Sequence, residues 1–245
     1  MHRLFLYDVL LISETQTVTQ DTLVKATAAI NLSAEVTISL FVAALRTSSD
    51  PASGAFTLQD LKKHNIIEHD GSLSRADKGT AGDNDQQFNP AVFDEFKSFF
   101  RGAEHITLPL AATARWGRIK SAQDTNSEFV YGSTQRFNSY AETAVYFQLL
   151  QNASTGTVPL SFLEVLFSES PYEGMADAWF TCMLISVPGE ERLPANEGWH
   201  APTSINGLGT ASVILQLAMA TDEKAADLVL PPNRSGFSHM GQLVL

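Results

Sequence analysis

Apolar residues recur at helical spacing along the first part of the chain, and residues that can cap a helix stand before them. Thr19 precedes an apolar stretch over residues 23–30, and Ser33 precedes the next one. Thr57 is followed three residues later by Asp60, which is a capping-box pattern. A cap placed directly before an apolar period predicts a helix, so three helices are expected in this region.

The same pattern continues through most of the remaining chain. Asn89-Pro90 places a cap before a proline, an arrangement typical of the first helical position, and the phenylalanines of residues 93–100 then lie on one face. Further helices are predicted over residues 107–122, 134–150, 159–167 and 208–219. Because no strand-like alternation persists, the sequence predicts an all-α, multi-helix fold in a single domain over residues 1–245.

Four segments do not follow this helical pattern. Residues 64–87 have no helical period and are rich in Asp, Gly, Ser and His. Residues 168–189 mix turn residues with an apolar run, and residues 221–245 form an irregular tail. Residues 1–16 begin with an apolar run that Asp8 interrupts, and no small-residue cleavage site follows, so we expect no signal peptide in the chain as given.

Composition and charge exclude several classes of partner. The formal net charge is −11, which disfavours nucleic acids and anionic lipids because phosphates need Lys and Arg to neutralise them. No stretch approaches the roughly 18 apolar residues of a membrane-spanning helix, so we expect no membrane partner. Cys182 is the single cysteine, which excludes an internal disulfide and cysteine-rich zinc sites.

The segment from His64 to Asn89 carries the candidate chemistry. Glu68, His69 and Asp70 stand in a row, and Ser72 follows. A carboxylate and a hydroxyl in an irregular loop can bind a hard cation such as Mg²⁺, and a histidine beside an aspartate can be held in one orientation. The alternative is a solvated loop in which Asp and Ser cap neighbouring turns. The residue types alone leave both readings open.

Several motifs in the same order resemble those of the fungal heme-thiolate peroxidases, the family of chloroperoxidases and unspecific peroxygenases. The motifs are N-x-I-E-H-D-x-S-L-S-R-x-D at 65–77, G-D-N at 82–84, F-N at 88–89, I-T-L-x-x-A-A-x-A-R at 106–115, S-Y-x-E-T-A-x-Y at 139–146 and E-R-L-P-x-x-E-G-W at 191–199. The sequence N-L-S-A-E at residues 31–35 also resembles a motif of this family. The resemblance extends over residues 17–167 and 190–217.

The resemblance implies two cofactors, heme b and Mg²⁺. In such proteins the cation lies beside a heme propionate. Carried over, Glu68 would bind Mg²⁺ through its carboxylate, His69 through its backbone carbonyl and Ser72 through its hydroxyl. The side chain of His69 would orient a catalytic glutamate, here Glu142, and Asp70 would steady His69.

The resemblance also implies the reaction. Glu142 would take a proton from hydrogen peroxide and return it to the leaving oxygen, which is general acid–base catalysis by one group. The heme would carry out the oxidation of a small organic substrate or a halide. Secretion is typical of such proteins and is therefore an expectation for this one.

The chain departs from the family where the heme iron should be held. The axial cysteine belongs to a Pro-Cys-Pro motif near the N-terminus, but residues 1–16 contain neither Cys nor Pro, so no axial ligand is found. Cys182 lies in residues 168–189, an insert without a family counterpart, and we interpret it as a small buried or adventitious residue. We hypothesise a gene model with a wrong first exon and a retained intron, which sequencing of the transcript would test. The alternative function is a non-catalytic or defective relative that does not bind heme.

Overall fold

Helices dominate the computed structural model, which describes residues 17–81, 85, 87–167 and 193–221. The helices are Gln20–Ala28 (α1), Ala34–Leu45 (α2), Leu58–Leu61 (α3), Lys78–Ala81 (α4), Pro90–Ser98 (α5), Leu108–Thr125 (α6), Ser133–Leu150 (α7), Leu160–Leu166 (α8) and Gly207–Met219 (α9). Short 3₁₀ turns occur at Pro51–Ser53 and Ala195–Glu197. The predicted all-α fold is confirmed, whereas the single-domain assignment stays a prediction.

Helix starts agree with the sequence because the caps are local interactions. The Thr19 side chain accepts a hydrogen bond from the backbone of Thr22, and Thr57 and Asp60 form the predicted capping box. Asn89 accepts from the backbone of Val92 with Pro90 at the first helical position. Ser33 is also an N-cap position, but its side chain makes no capping hydrogen bond there. The position of a cap therefore followed from the sequence, while the use of its side chain did not.

Two pairs of very short strands were not predicted. Val18–Thr19 (β1) pairs antiparallel with Ala55–Phe56 (β2), and His105–Ile106 (β3) pairs antiparallel with Val158–Pro159 (β4). Two residues are too few to show a strand-like alternation. β1 ends directly before α1, β3 ends shortly before α6, and β4 ends directly before α8. The strand pairs therefore fix where these three helices start.

The core is built around α7, which packs against α6 and α9, while α5 packs against α6. An aromatic cluster fills the space beside α5 and α8, where Phe96 lies 5.0 Å from Phe100 and 6.5 Å from Phe167 between ring centroids. Phe93 and Phe96 are buried as the sequence indicated. A second, smaller apolar cluster joins α1, α2, β2 and α3.

The loop between α3 and α5 is thereby held at both ends. Leu61 at the end of α3 is fully buried in the smaller cluster, and Phe93 in the first turns of α5 is buried in the larger one. Among its described residues the loop contains one helix, the four-residue α4, in a segment where no helix was predicted. Its backbone therefore runs between two fixed points over the face formed by α6 and α7.

Several expectations fall outside the described residues. These concern residues 1–16, 168–189 and 222–245, the Gly82-Asp83-Asn84 motif and Cys182. Among the helices that are described, none is both long and apolar enough to cross a membrane.

Candidate active site

The chain reverses direction at two points of the loop between α3 and α5, which brings its polar side chains together. Asn65 has a φ of 67°, and its backbone N–H donates to the carbonyl of Glu68 at 2.8 Å. Gly71 has a φ of 83°, in the left-handed region that L side chains disfavour, so glycine suits this turn. Between the two turns lie Glu68, His69 and Asp70, all of them buried.

His69 joins this loop to α7. Its Nε2 donates to Oε1 of Glu142 at 3.1 Å, and its Nδ1 donates to the backbone carbonyl of Asp70 at 2.7 Å. A carbonyl oxygen and a carboxylate only accept hydrogen bonds, so this geometry favours an imidazole that carries both protons. Burial opposes that charge, but the charge and hydrogen bond of Glu142 outweigh it and raise the pKa of His69 to about 9.

Glu142 is held from its other side by Arg115 of α6. Nη2 of Arg115 lies 3.2 Å from Oε2 of Glu142, and the Arg115 side chain is 1% exposed. The guanidinium also donates to Oγ1 of Thr143 at 2.8 Å and to the carbonyl of Gly71 at 3.0 Å. Each carboxylate oxygen of Glu142 therefore faces a different cationic side chain.

The two cations determine the ionisation of Glu142. Burial alone would raise its pKa, but the charges and hydrogen bonds of His69 and Arg115 prevail and lower it below the usual value. The side chain of Glu142 remains 20% exposed, so a small molecule in solution can reach it. The result is a carboxylate that stays ionised and has an open side.

Arg115 is the residue of this group that the sequence analysis missed. From the sequence alone, the alternative to a catalytic Glu142 is an exposed glutamate or one paired with Arg136 or another base. In the structure Arg136 lies over the ring of Tyr131 at 5.5 Å instead. The only signal for Arg115 was its place in the I-T-L-x-x-A-A-x-A-R motif, which gives no partner. The pairing depends on how α6 packs against α7.

The backbone carbonyl of Asp70 accepts a hydrogen bond from His69, whereas the carboxylate of Asp70 contacts other groups. One carboxylate oxygen accepts from Nδ2 of Asn126 at 3.1 Å, and the other accepts from the backbone N–H of Val130 at 3.0 Å. The carboxylate therefore ties the loop to the segment that joins α6 to α7. Within this arrangement Asp70 positions His69 and does not reach the exposed side of Glu142.

Ser72, one of the three residues expected to bind Mg²⁺, lies in a turn of the loop. The hydroxyl oxygen of Ser72 accepts hydrogen bonds from the backbone N–H groups of Ser74 at 3.4 Å and Arg75 at 3.1 Å. The hydroxyl thus caps a turn of the loop, and its part in a Mg²⁺ site stays a prediction from the resemblance. Glu68 contacts His64.

Glu68 is surrounded by negative charge. Its donor oxygen, a ring nitrogen of His64 and a carboxylate oxygen of Asp85 all lie within 4.8 Å of one another. Burial raises the pKa of Glu68 to about 8; the His69 charge lowers it, and the charges of Asp85 and Asp70 raise it further. Glu68, which belongs to this acidic group, and His69, which contacts Glu142, are thus adjacent residues of one loop.

We predict that His69→Gln flattens the pH dependence of stability. The pKa of His69 is raised from about 6.5 to about 9, so its stabilisation is fully present below about pH 6.5 and is lost as the pH rises through 9. Wild-type unfolding free energy should fall over that interval by up to about 1.4 kcal/mol per pH unit from this group. Urea unfolding at several pH values measures it.

The exposed His200 supplies the matched control. His200→Gln should leave the wild-type pH dependence intact. If His69→Gln and the wild type lose stability in parallel from pH 6.5 to 9, the proton shared with Glu142 is not linked to folding.

Comparison with known proteins gives an independent identification. The profile of the family described as "Peroxidase, family 2", the chloroperoxidase-like family, matches residues 14–204. This range includes the whole loop, α6 and α7, and with them His69, Arg115 and Glu142. No curated protein matches the chain. Since the matched range covers most of the sequence, the chain belongs to the chloroperoxidase-like peroxidase family.

Proposed function

We propose that the chain activates hydrogen peroxide, with Glu142 as the acid–base group and His69 and Arg115 as the residues that hold it. The observation that carries this proposal is the carboxylate of Glu142 between two cations, at 3.1 Å from His69 and 3.2 Å from Arg115. Membership of a peroxidase family supports the reaction class. The substrates would be hydrogen peroxide and a small organic molecule or a halide.

Glu142 has the properties that a proton carrier in this reaction needs. Each carboxylate oxygen accepts one hydrogen bond from a cation and keeps lone-pair capacity for another. The low pKa keeps the group ionised and ready to accept a proton from one oxygen of the peroxide. Once protonated it is a strong acid, so it can readily give the proton up again to the second oxygen of the peroxide.

His69 and Arg115 contribute through orientation and charge. Together they fix both carboxylate oxygens, so the plane of the carboxylate cannot rotate freely, and a fixed carboxylate loses little entropy when the peroxide arrives. His69 is itself fixed by the Asp70 carbonyl, and Arg115 by Gly71 and Thr143. The acid–base group is therefore supported by three separate segments of the chain.

Heme is the cofactor that the family implies, and the residues fit it on one side only. When bound, heme would supply the oxidising chemistry, while the protein supplies position and protons. The group of Glu142, His69 and Arg115 suits the peroxide side. Among the described residues there is no cysteine to hold the iron, and Cys182 and residues 1–16 lie outside them. We therefore derive no step through the heme.

A second candidate function follows from that missing cysteine. The helical scaffold would persist without heme, as a non-catalytic relative of the peroxidases. The observation in its favour is the absence of Pro-Cys-Pro from residues 1–16. Secretion and a Mg²⁺ ion on Glu68, the His69 carbonyl and Ser72 remain predictions from the resemblance.

Heme binding distinguishes the two candidates. The chain is expressed, supplied with hemin, and its absorbance is recorded after reduction in carbon monoxide. Under the first proposal we expect a heme band, and a strongly red-shifted Soret band would identify a thiolate ligand, for which Cys182 is the one candidate in the sequence. A Soret band without that shift would indicate another axial ligand, which would donate less electron density to favour cleavage of the O–O bond. No heme band would favour the non-catalytic relative.

Glu142→Gln is expected to abolish most peroxide-dependent oxidation while heme content stays constant. The amide keeps the shape of the side chain but cannot carry the proton, and such groups contribute about 10²–10⁴-fold to rates. Turnover of a small aromatic substrate per mole of heme measures the effect. Glu128→Gln, at an exposed position, is the control that keeps wild-type turnover. Equal turnover in both variants would remove Glu142 from the reaction.

Arg115→Lys separates positioning from general stability. Lysine keeps the charge but cannot reach Glu142, Thr143 and Gly71 together. We expect kcat to fall by roughly tenfold or more, as for loss of a charge-assisted hydrogen bond of about 1.5–3 kcal/mol. Because Arg115 lowers the pKa of Glu142, the acid limb of the pH profile should move to higher pH.

The matched control is Arg118→Lys on the same helix. Arg118 is also buried, but it donates to the carbonyl of Ser72 at 3.1 Å and to Glu95 at 2.5 Å. This variant should lose some stability and keep the wild-type pH profile. Identical pH profiles for all three proteins would show that Arg115 is only structural.

A further inference from the structure

Asn126 connects the end of α6 to the loop that carries His69. Its backbone N–H donates to the carbonyl of Ala122 and closes the last turn of the helix, and the residue is only 3% exposed. Both ends of its side-chain amide are used. Nδ2 donates to the carboxylate of Asp70 at 3.1 Å, and Oδ1 accepts from the backbone N–H of Glu128 at 2.9 Å. An ionised aspartate at this position could keep the second bond but not the first, because a carboxylate donates no hydrogen bond.

The bond from Asn126 supports the peptide group that holds His69. This peptide group joins Asp70 to Gly71. Its carbonyl oxygen accepts from Nδ1 of His69 at 2.7 Å, and its N–H donates to Oδ1 of Asp77 at 2.7 Å. Each oxygen of the Asp70 carboxylate is bound by the segment that follows α6. Because the side chain and the peptide group share the Cα atom of Asp70, a fixed carboxylate also limits the rotation of the carbonyl that His69 contacts.

Gly79 of α4 leaves the room that the side chain of Asn126 occupies. A Cβ atom at position 79 would lie 2.0 Å from Oδ1 of Asn126 and 2.9 Å from its Cγ, which is closer than such atoms can approach. The backbone of α4 thus packs directly against the amide. Any larger residue at position 79 would displace the amide from Asp70 without changing Asn126 itself.

Through these contacts α6 supports both oxygens of Glu142. Arg115, within the helix, contacts Oε2 directly at 3.2 Å. Asn126, about three helical turns or ~16 Å further on, acts on Oε1 through Asp70 and His69. We propose that Asn126 is a positioning residue for Glu142, because it fixes the histidine that orients the carboxylate. The functional part of this inference rests on the proposed acid–base role of Glu142.

Proton NMR of the His69 ring tests the proposal on the full chain without heme. In the wild type we expect a resonance of Nδ1–H well downfield of the backbone amides, and its loss in His69→Gln assigns it. In Asn126→Asp two carboxylates face each other, and like charges at such a distance repel. The Asp70 carbonyl then loses its fixed position. We expect Nδ1–H of His69 to exchange with water roughly tenfold faster or more, as for loss of a charge-assisted hydrogen bond.

Exchanging the two side chains separates positioning from a general loss of folding. Each single variant, Asp70→Asn or Asn126→Asp, places two donors or two acceptors face to face. In the double variant the amide at position 70 can donate to the carboxylate at position 126 and accept from the backbone of Val130. All the hydrogen bonds of the pair can then form again with reversed polarity. We expect the double variant to regain the slow exchange of the wild-type His69 proton.

A second variant and a matched control complete the set. Gly79→Ala should speed the exchange as Asn126→Asp does, because it displaces the same amide. Asn152→Asp is the control. Oδ1 of Asn152 accepts from the backbone N–H of Ser154 at 2.9 Å, two residues on, as Asn126 does from Glu128, but it lies in the turn between α7 and β4. This variant should keep the wild-type exchange.

The proposal is overturned if Asn126→Asp keeps the slow exchange of His69, or if the double variant does not regain it, whether or not that variant folds. Where hemin gives an active wild type, kcat for peroxide-dependent turnover should follow the same order, and an unchanged kcat in Asn126→Asp would also overturn it. The NMR measurement needs neither heme nor peroxide. A chain that binds no heme therefore counts against the proposed function and leaves this test unaffected.

Discussion

Glu142 needs a negative charge at a largely buried position, and the surrounding architecture is arranged to make that charge tolerable. Removing an ion from water is costly unless oppositely charged groups and hydrogen bonds replace the water. His69 and Arg115 do this from opposite sides. One comes from the loop after α3 and the other from α6, so the pairing can form only when the loop, α6 and α7 are all in place.

The cross-links around this carboxylate explain the shape of the loop. The carbonyl of Gly71 faces Arg115, and the carboxylate of Asp70 is held by Asn126 and the backbone of Val130. These contacts join the loop to α6 and to the segment that connects α6 to α7. The described part of the loop has little regular secondary structure and yet has a defined path, since α6, and the segment between α6 and α7, bind several of its polar groups.

Local signals allowed much of the helical framework to be predicted. The contacts between elements could not be predicted from such signals. Thr19, Thr57 and Asn89 marked helix starts because a cap bonds to backbone only a few residues away. The family resemblance implied that His69 contacts Glu142, and the structure shows this contact. Arg115 was missed because its partner lies on another helix, and the sequence carries no local signal for a pairing between two helices.

The way in which charge is balanced around Glu142 bears on what the chain does. Each oxygen of the Glu142 carboxylate has a cationic partner at hydrogen-bond distance, His69 on one side and Arg115 on the other. Replacing such a buried network by apolar residues is often neutral or stabilising, so folding alone gives no reason for it. An acid–base role does give a reason, because proton transfer needs a charged, fixed and partly open carboxylate. The missing axial cysteine concerns the opposite side of the expected cofactor and does not weaken this half of the argument.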